Sequence, residues 1–499
     1  MANRDKILVY QKPTIVLEEM QFADSETIDV APDERGPDQP KDSMHKKSRM
    51  VGDITPFIKI GDFKFLYSEI QSMTLDCTGM VPRLTAVIVD SRGVVTGPHF
   101  PKNKPILSLY IRSRSEKIKP IRNDFLIMNI RRVGYASDPV ERMDGTGVKY
   151  QISGQMRIPG LYNRESKVYD ATSIDALKEV ASEMEIGFAG NVKSTNDRMK
   201  WINPYWNRIE FIKYMQNRAF SSEECFFNIF IDIYYHLNMV NVRDMLSYSG
   251  DFDDVYASVM EINDYLRGEG ASAEDNEMST FVLSNMSTLR GSEMFISKYD
   301  EQSNTGDIIL NVGNRGGLYY YDPFVNESDL SENFVEYDVF NEESVEYEDE
   351  FLAKKKSLYW TGIDYNNGHD NYMFSRMNQF YGMMEMSKMR LNVTLDGVNM
   401  NVIRGQHVPV VLFKQDGSAQ HSYDPYTYED ETEDPDKRRD EKTAGVTLNR
   451  YLSGHYYVTG VKYCYNLNRI NNDERSPFYT ELSLARGSWP KSPEKAPRQ

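Results

Sequence analysis

The chain has 499 residues, 40% of them apolar and 27% charged, with a net charge of −17. This is material for roughly three or four globular domains, and the balance is that of a folded protein rather than a disordered or fibrous one. The negative charge argues against a sequence-independent nucleic-acid binder, which gains affinity by replacing counterions with Lys and Arg.

Residues 21–50 are polar, carry Pro32, Pro37 and Pro40, and include the basic cluster from His45 to Arg49. Such a stretch cannot bury enough apolar surface to offset chain entropy, so residues 1–50 read as a polar N-terminal arm. From residue 51 to 164 short strand-like runs follow one another: Phe63 to Tyr67, Leu84 to Val89, Ile106 to Ile111 and Phe125 to Ile130. Turn signals at Gly61-Asp62, Gly97-Pro98 and Asp144-Gly145 separate them, which points to a small barrel or sandwich.

An α/β unit is expected over 165–267. Thr172 and Ser173 can cap a helix with Ile174, Leu177, Ala181 and Met184 on one face and Gly187 placed to end it. Asn203-Pro204 reads as the start of a second helix that aligns Tyr205, Ile209, Ile212, Met215 and Ala219. Cys225 to Ile231 is apolar on both faces, as a central strand would be. A third helix is expected over Asp254 to Arg267, with the polar break Gly268 to Glu277 behind it.

Residues 268–370 read as a β-rich segment with strands at Phe281 to Leu283, Met294 to Ile296, Ile308 to Leu310 and Leu318 to Tyr321. Between Val325 and Leu352 every charge is negative, a pattern typical of a solvated loop or exposed face. The last region, 371–499, opens with a methionine-rich helix over Tyr372 to Lys388 whose stripe Met373, Met377, Phe380 and Met384 suits plastic core or interface packing. Strands return at Met389 to Leu395, at Val398 to Ile403 after the turn Asp396-Gly397, and at Val408 to Phe413. The acidic stretch 416–444 reads as a surface insertion. The fold class is thus α+β and β-rich, two β regions flanking an α/β region. The 33 tyrosines fit strands and interfaces alike.

Chemistry is sparse. Seven histidines include no pair three to five apart, and the zinc-peptidase, nucleophile-elbow and phosphate-loop motifs are absent. Gly313 to Gly317 reads as a turn between strands. His236 and His455 read as ordinary strand residues and Cys225 as an inert core thiol. The cysteines Cys77, Cys225 and Cys464 are far apart with no C-x-x-C spacing, so no disulfide framework or thiolate metal site is expected and folding suits a reducing cytosol. No run approaches the roughly 20 apolar residues of a spanning helix, and the opening MANRDKILVYQKPTIVLEEM lacks a signal-peptide pattern, so no membrane role is expected. Catalytic, cofactor-binding and metal residues are none, cofactors none, and the chain is read as not an enzyme.

Two stretches carry a family resemblance. Thr195 to Trp206, running into Phe226 to Asn238, resembles the α/β segment of baseplate central hub proteins of contractile-tailed bacteriophages, which are related to the hub portion of type VI secretion spike proteins. Tyr451 to Val461, closing at Phe478 to Arg486 and Trp489, resembles the last hairpin of their second barrel. The resemblance implies two tail-tube-like β-barrels flanking the α/β region. It implies a homotrimer whose ring joins the tail tube protein to the central spike protein, with the tape measure protein and baseplate wedge proteins as further partners. DNA would pass through the lumen during ejection without specific binding, and acidic lumen residues would speed it. The place implied is the virion tail baseplate, after assembly in the host cytoplasm. A sixfold tube initiator or terminator ring and a tail-associated peptidoglycan hydrolase are the alternatives.

Overall fold

The computed structural model describes residues 7–17, 54–65, 69–98, 100–101, 105–113, 121–136, 147–222, 225–246, 282–286, 294–304, 315–321, 334–338, 356–361, 369, 371–398, 402–414, 447–449, 452–469 and 477–487. The first strand, β1 (Leu8–Gln11), lies inside the expected polar arm, yet it pairs into the α/β unit. The rest of that arm falls outside the described residues.

The first β region contains β2 (Ile54–Ile60), β3 (Phe63–Phe65), β4 (Ile70–Asp76), β5 (Arg83–Asp90), β6 (Ile106–Ser113), β7 (Ile121–Ala136) and β8 (Gly147–Met156). Alternation sets their faces. In β5 the side chains Leu84, Ala86 and Ile88 are buried while Thr85, Val87 and Val89 are only partly so. The strand ends on Asp90, whose carboxylate accepts the backbone N–H groups of Val94 (2.9 Å) and Val95 (2.8 Å) and so builds the following turn.

The α/β unit begins with β9 (Arg164–Ala171) and α1 (Ser173–Glu183). Thr172 caps α1 as expected, and Ile174, Leu177, Ala181 and Met184 are buried. The helix does not end on Gly187. Met184 caps it and Glu185 takes the left-handed φ of 58°. Gly187 instead opens β10 (Gly187–Gly190), where a Cβ would lie 2.5 Å from the Gln11 carbonyl oxygen and from the His236 ring. Close approach of three chain segments, not helix termination, requires glycine there.

Next come β11 (Met199–Asn207) and α2 (Arg208–Gln216). The expected helix start at Asn203-Pro204 is thus a strand, and the helix begins four residues later. Asn207 is the N-cap, with Glu210 completing a reciprocal capping box. Asn203 uses its side chain to hold the turn, accepting from the Trp206 N–H (2.9 Å), and Tyr205 is exposed rather than on the helix face.

The apolar run predicted as a central strand is β12 (Phe227–Ile231). It is buried throughout but stands at the edge of the sheet β1-β10-β13-β12, beside β13 (His236–Asn241), which runs into the short α3 (Val242–Leu246).

The C-terminal part contains β14 (Leu283–Ser284), β15 (Ile296–Ser303), β16 (Arg315–Tyr321), β17 (Phe334–Asp338) and β18 (Lys356–Thr361). Gly316 and Gly317 are therefore strand residues, in the middle strand of the sheet β17-β16-β18, rather than a turn. Within the acidic block, β17 is a strand, so that block is not all loop. Then follow α4 (Tyr372–Glu385), β19 (Met389–Leu395), β20 (His407–Val411), β21 (Phe413–Lys414), β22 (Thr447–Leu448), β23 (Gly454–Asn466) and β24 (Phe478–Arg486).

Helix α4 explains what covers the edge of β12. Gln379 accepts from the Phe227 N–H (2.9 Å) and donates to the Phe227 carbonyl (2.8 Å), replacing a neighbouring strand with one side-chain amide. Its buried side is Tyr372, Ser375, Met377, Asn378, Gln379 and Tyr381, while Phe380 of the expected stripe is 39% exposed. No strand forms at Val398, Val402 or Ile403, against the expected hairpin; this segment leads into the turn at Gly405. The expected helix 254–267, the break 268–277, the strand 308–310, the turn 144–145, Trp489 and the insertion 416–444 lie outside the described residues.

Both β regions share one sheet. Its order is β15-β19-β24-β23-β4-β5-β8-β7-β6-β2-β3, with β14 and β20 attached at β23. The seam is the antiparallel pairing of β23 with β4, from Lys462 opposite Asp76 to Asn466 opposite Ser72. Among the described strands this sheet is open and does not close into a barrel. The strand-rich α+β class stands. Among the described residues one large apolar core runs through both β regions and the α/β unit, and a second, smaller cluster holds Phe226, Phe230, Val240, Met386 and Tyr457.

Candidate assembly surface

Two polar knots fix the α/β unit to the sheet. Between β12 and β13 the chain turns through Asp232, whose carboxylate accepts from the N–H groups of Tyr234 (2.8 Å) and His236 (2.9 Å) and from the Asn238 amide (3.0 Å). His236 Nδ1 lies 3.4 Å from the same carboxylate. The turn forces Tyr235 to φ 61° and aims its hydroxyl at β7, where it accepts from the Asp124 N–H (2.9 Å). Asn123 adds a bond to the Ile233 carbonyl (2.6 Å). Burial raises the Tyr235 pKa to about 12, so the phenol stays neutral.

The second knot is Arg404, just ahead of β20. It donates to the Gly79 carbonyl after β4 and to the Asn228 side chain of β12 (3.1 Å), and its guanidinium stacks 4.5 Å over the Phe230 ring. Asn228 in turn donates to the Tyr457 hydroxyl of β23 (3.1 Å). One side chain thus touches the first β region and the α/β unit, and reaches the second β region through one relay. Neighbouring tyrosines are satisfied similarly: Tyr456 donates to Leu452 and Tyr463 to Val402, at 2.7 and 2.8 Å. Buried aromatic bodies with bonded hydroxyls account for part of the high tyrosine content.

The sheet has one apolar and one polar face. Cross-strand register builds the polar face in rows. One row runs Glu481, Lys462, Asp76, Arg83, Gln155, Leu126 across β24, β23, β4, β5, β8 and β7. The signs of its four charges alternate and cancel, and Lys462 lies 3.8 Å from Glu481. The next row is Tyr479, Cys464, Thr74, Thr85, Ser153, Asn129, and a third is Asn466, Ser72, Val87, Gln151, Arg131. On the other face Leu75, Leu84, Met73, Ala86 and Ile152 enter the core. The polar face is rich in hydroxyl and amide groups. It is not acidic, so the excess negative charge of the chain is carried elsewhere.

No family model and no curated protein sequence matches the chain. Solved structures do resemble it. A tail protein from Neisseria meningitidis MC58 is 11% identical, with 88% of this chain and 98% of that one covered and a TM-score of 0.44. The 43 kDa tail protein of prophage MuSo2 from Shewanella oneidensis is 7% identical over 87% of this chain and 98% of that one, with a TM-score of 0.46. The Francisella PdpA-VgrG complex gives 11% identity, 90% and 62% coverage, and a TM-score of 0.41. These structure neighbours are a tail protein, a prophage tail protein and a VgrG complex.

The residues weighed for chemistry are placed as follows. His236 is buried against Asp232. His455 on β23 stacks on His407 of β20, ring centroids 4.7 Å apart and planes 6° from parallel. Sequence reading passed over this contact because nothing in the spacing of 407 and 455 signals it. Burial, then the neighbouring His455, pulls the His407 pKa down to about 3. Burial, then Arg486, lowers that of His455. Cys77, Cys225 and Cys464 are buried free thiols whose pKa values burial raises, to about 11 for Cys464, so none is a ready nucleophile. Among the described residues no three His, Cys, Asp or Glu side chains group to hold a metal, and no helix is long and apolar enough to cross a membrane. An ionic cluster of Glu165, Lys167, Glu179, Glu183 and Arg208 is a chain of ion pairs: Arg208 bonds Glu183 at 2.9 Å and Glu165 at 3.3 Å, and Lys167 bonds Glu179 at 2.7 Å. It ties β9 and α1 to α2.

Proposed function

We propose that this chain is the structural hub of a contractile phage tail baseplate, a homotrimeric ring that joins the tail tube to the central spike and encloses the channel for DNA and the tape measure protein. The observation that carries the reading is the continuous sheet, with the polar face described above and one seam between two β regions far apart in sequence. A sheet apolar behind and neutral-polar in front is what a channel wall needs: its back anchors it to a core, and its front offers a phosphate backbone little net charge to bind. The two sequence blocks support the family reading, since the first forms β11, α2, β12 and the turn at Asp232, and the second forms β23 and β24.

In this reading the two β regions take the places of two tail-tube-like units in each subunit, joined here in one open sheet, so three copies give six similar units facing the tube. The polar N-terminal arm, the acidic block 325–352 and the insertion 416–444 serve attachments to baseplate wedge proteins. The chain works without catalysis or cofactor.

The test is native mass spectrometry with electron microscopy of the full chain, alone and with its spike protein. A three-subunit ring that binds the spike is expected. A sixfold ring that stacks on tube protein and ignores the spike would instead support the tube-initiator reading. Lasting monomer in the presence of the spike would contradict both. Clearing of peptidoglycan in a zymogram would revive the hydrolase alternative.

A further inference from the structure

Helix α4 inverts the usual arrangement of a surface helix. Its inward side buries Ser375, Asn378 and Gln379 beside Tyr372, Met377 and Tyr381. Its outward side carries Phe380 (39% exposed), Met383 (37% exposed) and the half-buried Met384, spaced by three and four residues and therefore on one stripe. The Phe380 ring is held edge-on to Tyr381, with centroids 5.2 Å apart. α4 also lies against β16 and β17, yet that contact leaves the stripe exposed. A helix with apolar side chains on both sides is a helix made for burial, so this one calls for a second layer over its outer stripe.

The fold brings a cover to the end of that stripe. α3 packs against the C-terminal end of α4: Val242, Met245 and Met386 share one apolar cluster, with Leu246 packed against it. The chain leaves α3 at Leu246, and residues 247–253 lead into the stretch Asp254 to Arg267. In that stretch Val255, Val259, Ile262 and Leu266 recur at helical spacing, while Asp254, Glu261 and Asp264 fall on the opposite side. Such a segment has one face to bury and one to keep in water. Its length equals the 14 residues of α4, about 21 Å as a helix. Methionine suits the receiving surface, because its unbranched side chain adapts to the ridge laid on it.

We infer that residues 254–267 form a helix that docks along the Phe380, Met383 and Met384 stripe of α4 in the same copy. The short connection favours docking within one chain: ordering 247–253 costs little closure entropy, whereas a second copy would give up translational and rotational freedom. The segment starts at the C-terminal end of α4 and so runs antiparallel to it, with Val255 and Val259 toward Met383 and Met384. α4 is then held from both sides, by the docked helix outside and by the Gln379 bonds to β12 inside. The docking concerns one copy and stands whether or not the ring forms.

The experiment uses the full chain. Val259→Cys with Met383→Cys should give an intrachain disulfide on mild oxidation, and Asp264→Cys with Met383→Cys should not. The three native thiols are buried, so the background is low. Hydrogen exchange supplies a second readout, in which amides of 254–267 are protected in the unmodified chain. Met383→Asp should cut that protection by about tenfold or more, while the β12 amides on the other side of α4 keep theirs and so report an intact fold. Equal crosslinking at 259 and 264, or unprotected amides over 254–267, would overturn the docking. Disulfides that join two copies in place of one would overturn it too, and assign the stripe to a neighbouring subunit.

Discussion

Arg404 concentrates the interdomain chemistry in one side chain. Removing it leaves the Gly79 carbonyl and the Asn228 amide oxygen without their donor and strips a cation from the Phe230 ring. Arg404→Ala should cost about 2–4 kcal/mol in a denaturant titration, and Arg404→Lys most of that, because a single ammonium cannot span both acceptors. Gly405 beside it has φ 89°, and a Cβ would sit 2.6 Å from Phe230. Gly405→Ala should therefore lose about 1–3 kcal/mol through strain at that backbone angle and displacement of the ring. The histidine pair sets an acid limit. A histidine in the unfolded chain titrates near 6.5, while the folded His407 value is about 3. Between those values the unfolded state binds the extra proton, so stability falls as pH drops from about 6.5 toward about 3, and His455 adds in the same direction. The melting temperature should fall between pH 7 and pH 5, and the fall should be shallower in His407→Gln. An equal slope in the variant would show that the stacked pair is not its source.

At the scale of elements, what was legible followed local physics. Strands β5 and β19 were readable because alternation of one apolar face was strong, and α1 because Thr172 caps a clear stripe. The start of α2 was misread because Asn203-Pro204 imitates a cap, although the true capping box, Asn207 with Glu210, stood in the same sequence. The stripe of α4 misled because its buried side is partly polar: Gln379 and Asn378 face inward to serve an edge strand, a need that no helical period announces. Gln379→Ala should cost about 1–3 kcal/mol, since it leaves the Phe227 N–H without its partner in a buried strand. It should also speed amide exchange in β12 before β13. Nor was the β4–β23 seam legible, since it joins segments from opposite ends of the chain and no local pattern announces the pairing. The seam predicts that amides of β4 and β23 exchange as one cooperative unit. Independent opening of the two β regions would contradict a shared sheet.

For the whole molecule, the sequence pointed to a β–α/β–β order and to few chemically distinctive residues. The site is likewise spread over many ordinary Ser, Thr, Asn and Gln residues rather than concentrated in a motif, which is why no single residue could be chosen beforehand. Composition misled on one point: a net charge of −17 suggested an acidic lumen, whereas the polar face carries one charged row whose signs cancel, and Arg131 adds a further cation two rows away. The central claim is that these faces come together in a ring around a threefold axis. Image averages of the purified full chain bound to its spike protein test it most directly. The account predicts a closed ring of three copies with the polar sheet faces lining the opening. A particle without threefold symmetry, or one with those faces on its outer surface, would contradict it.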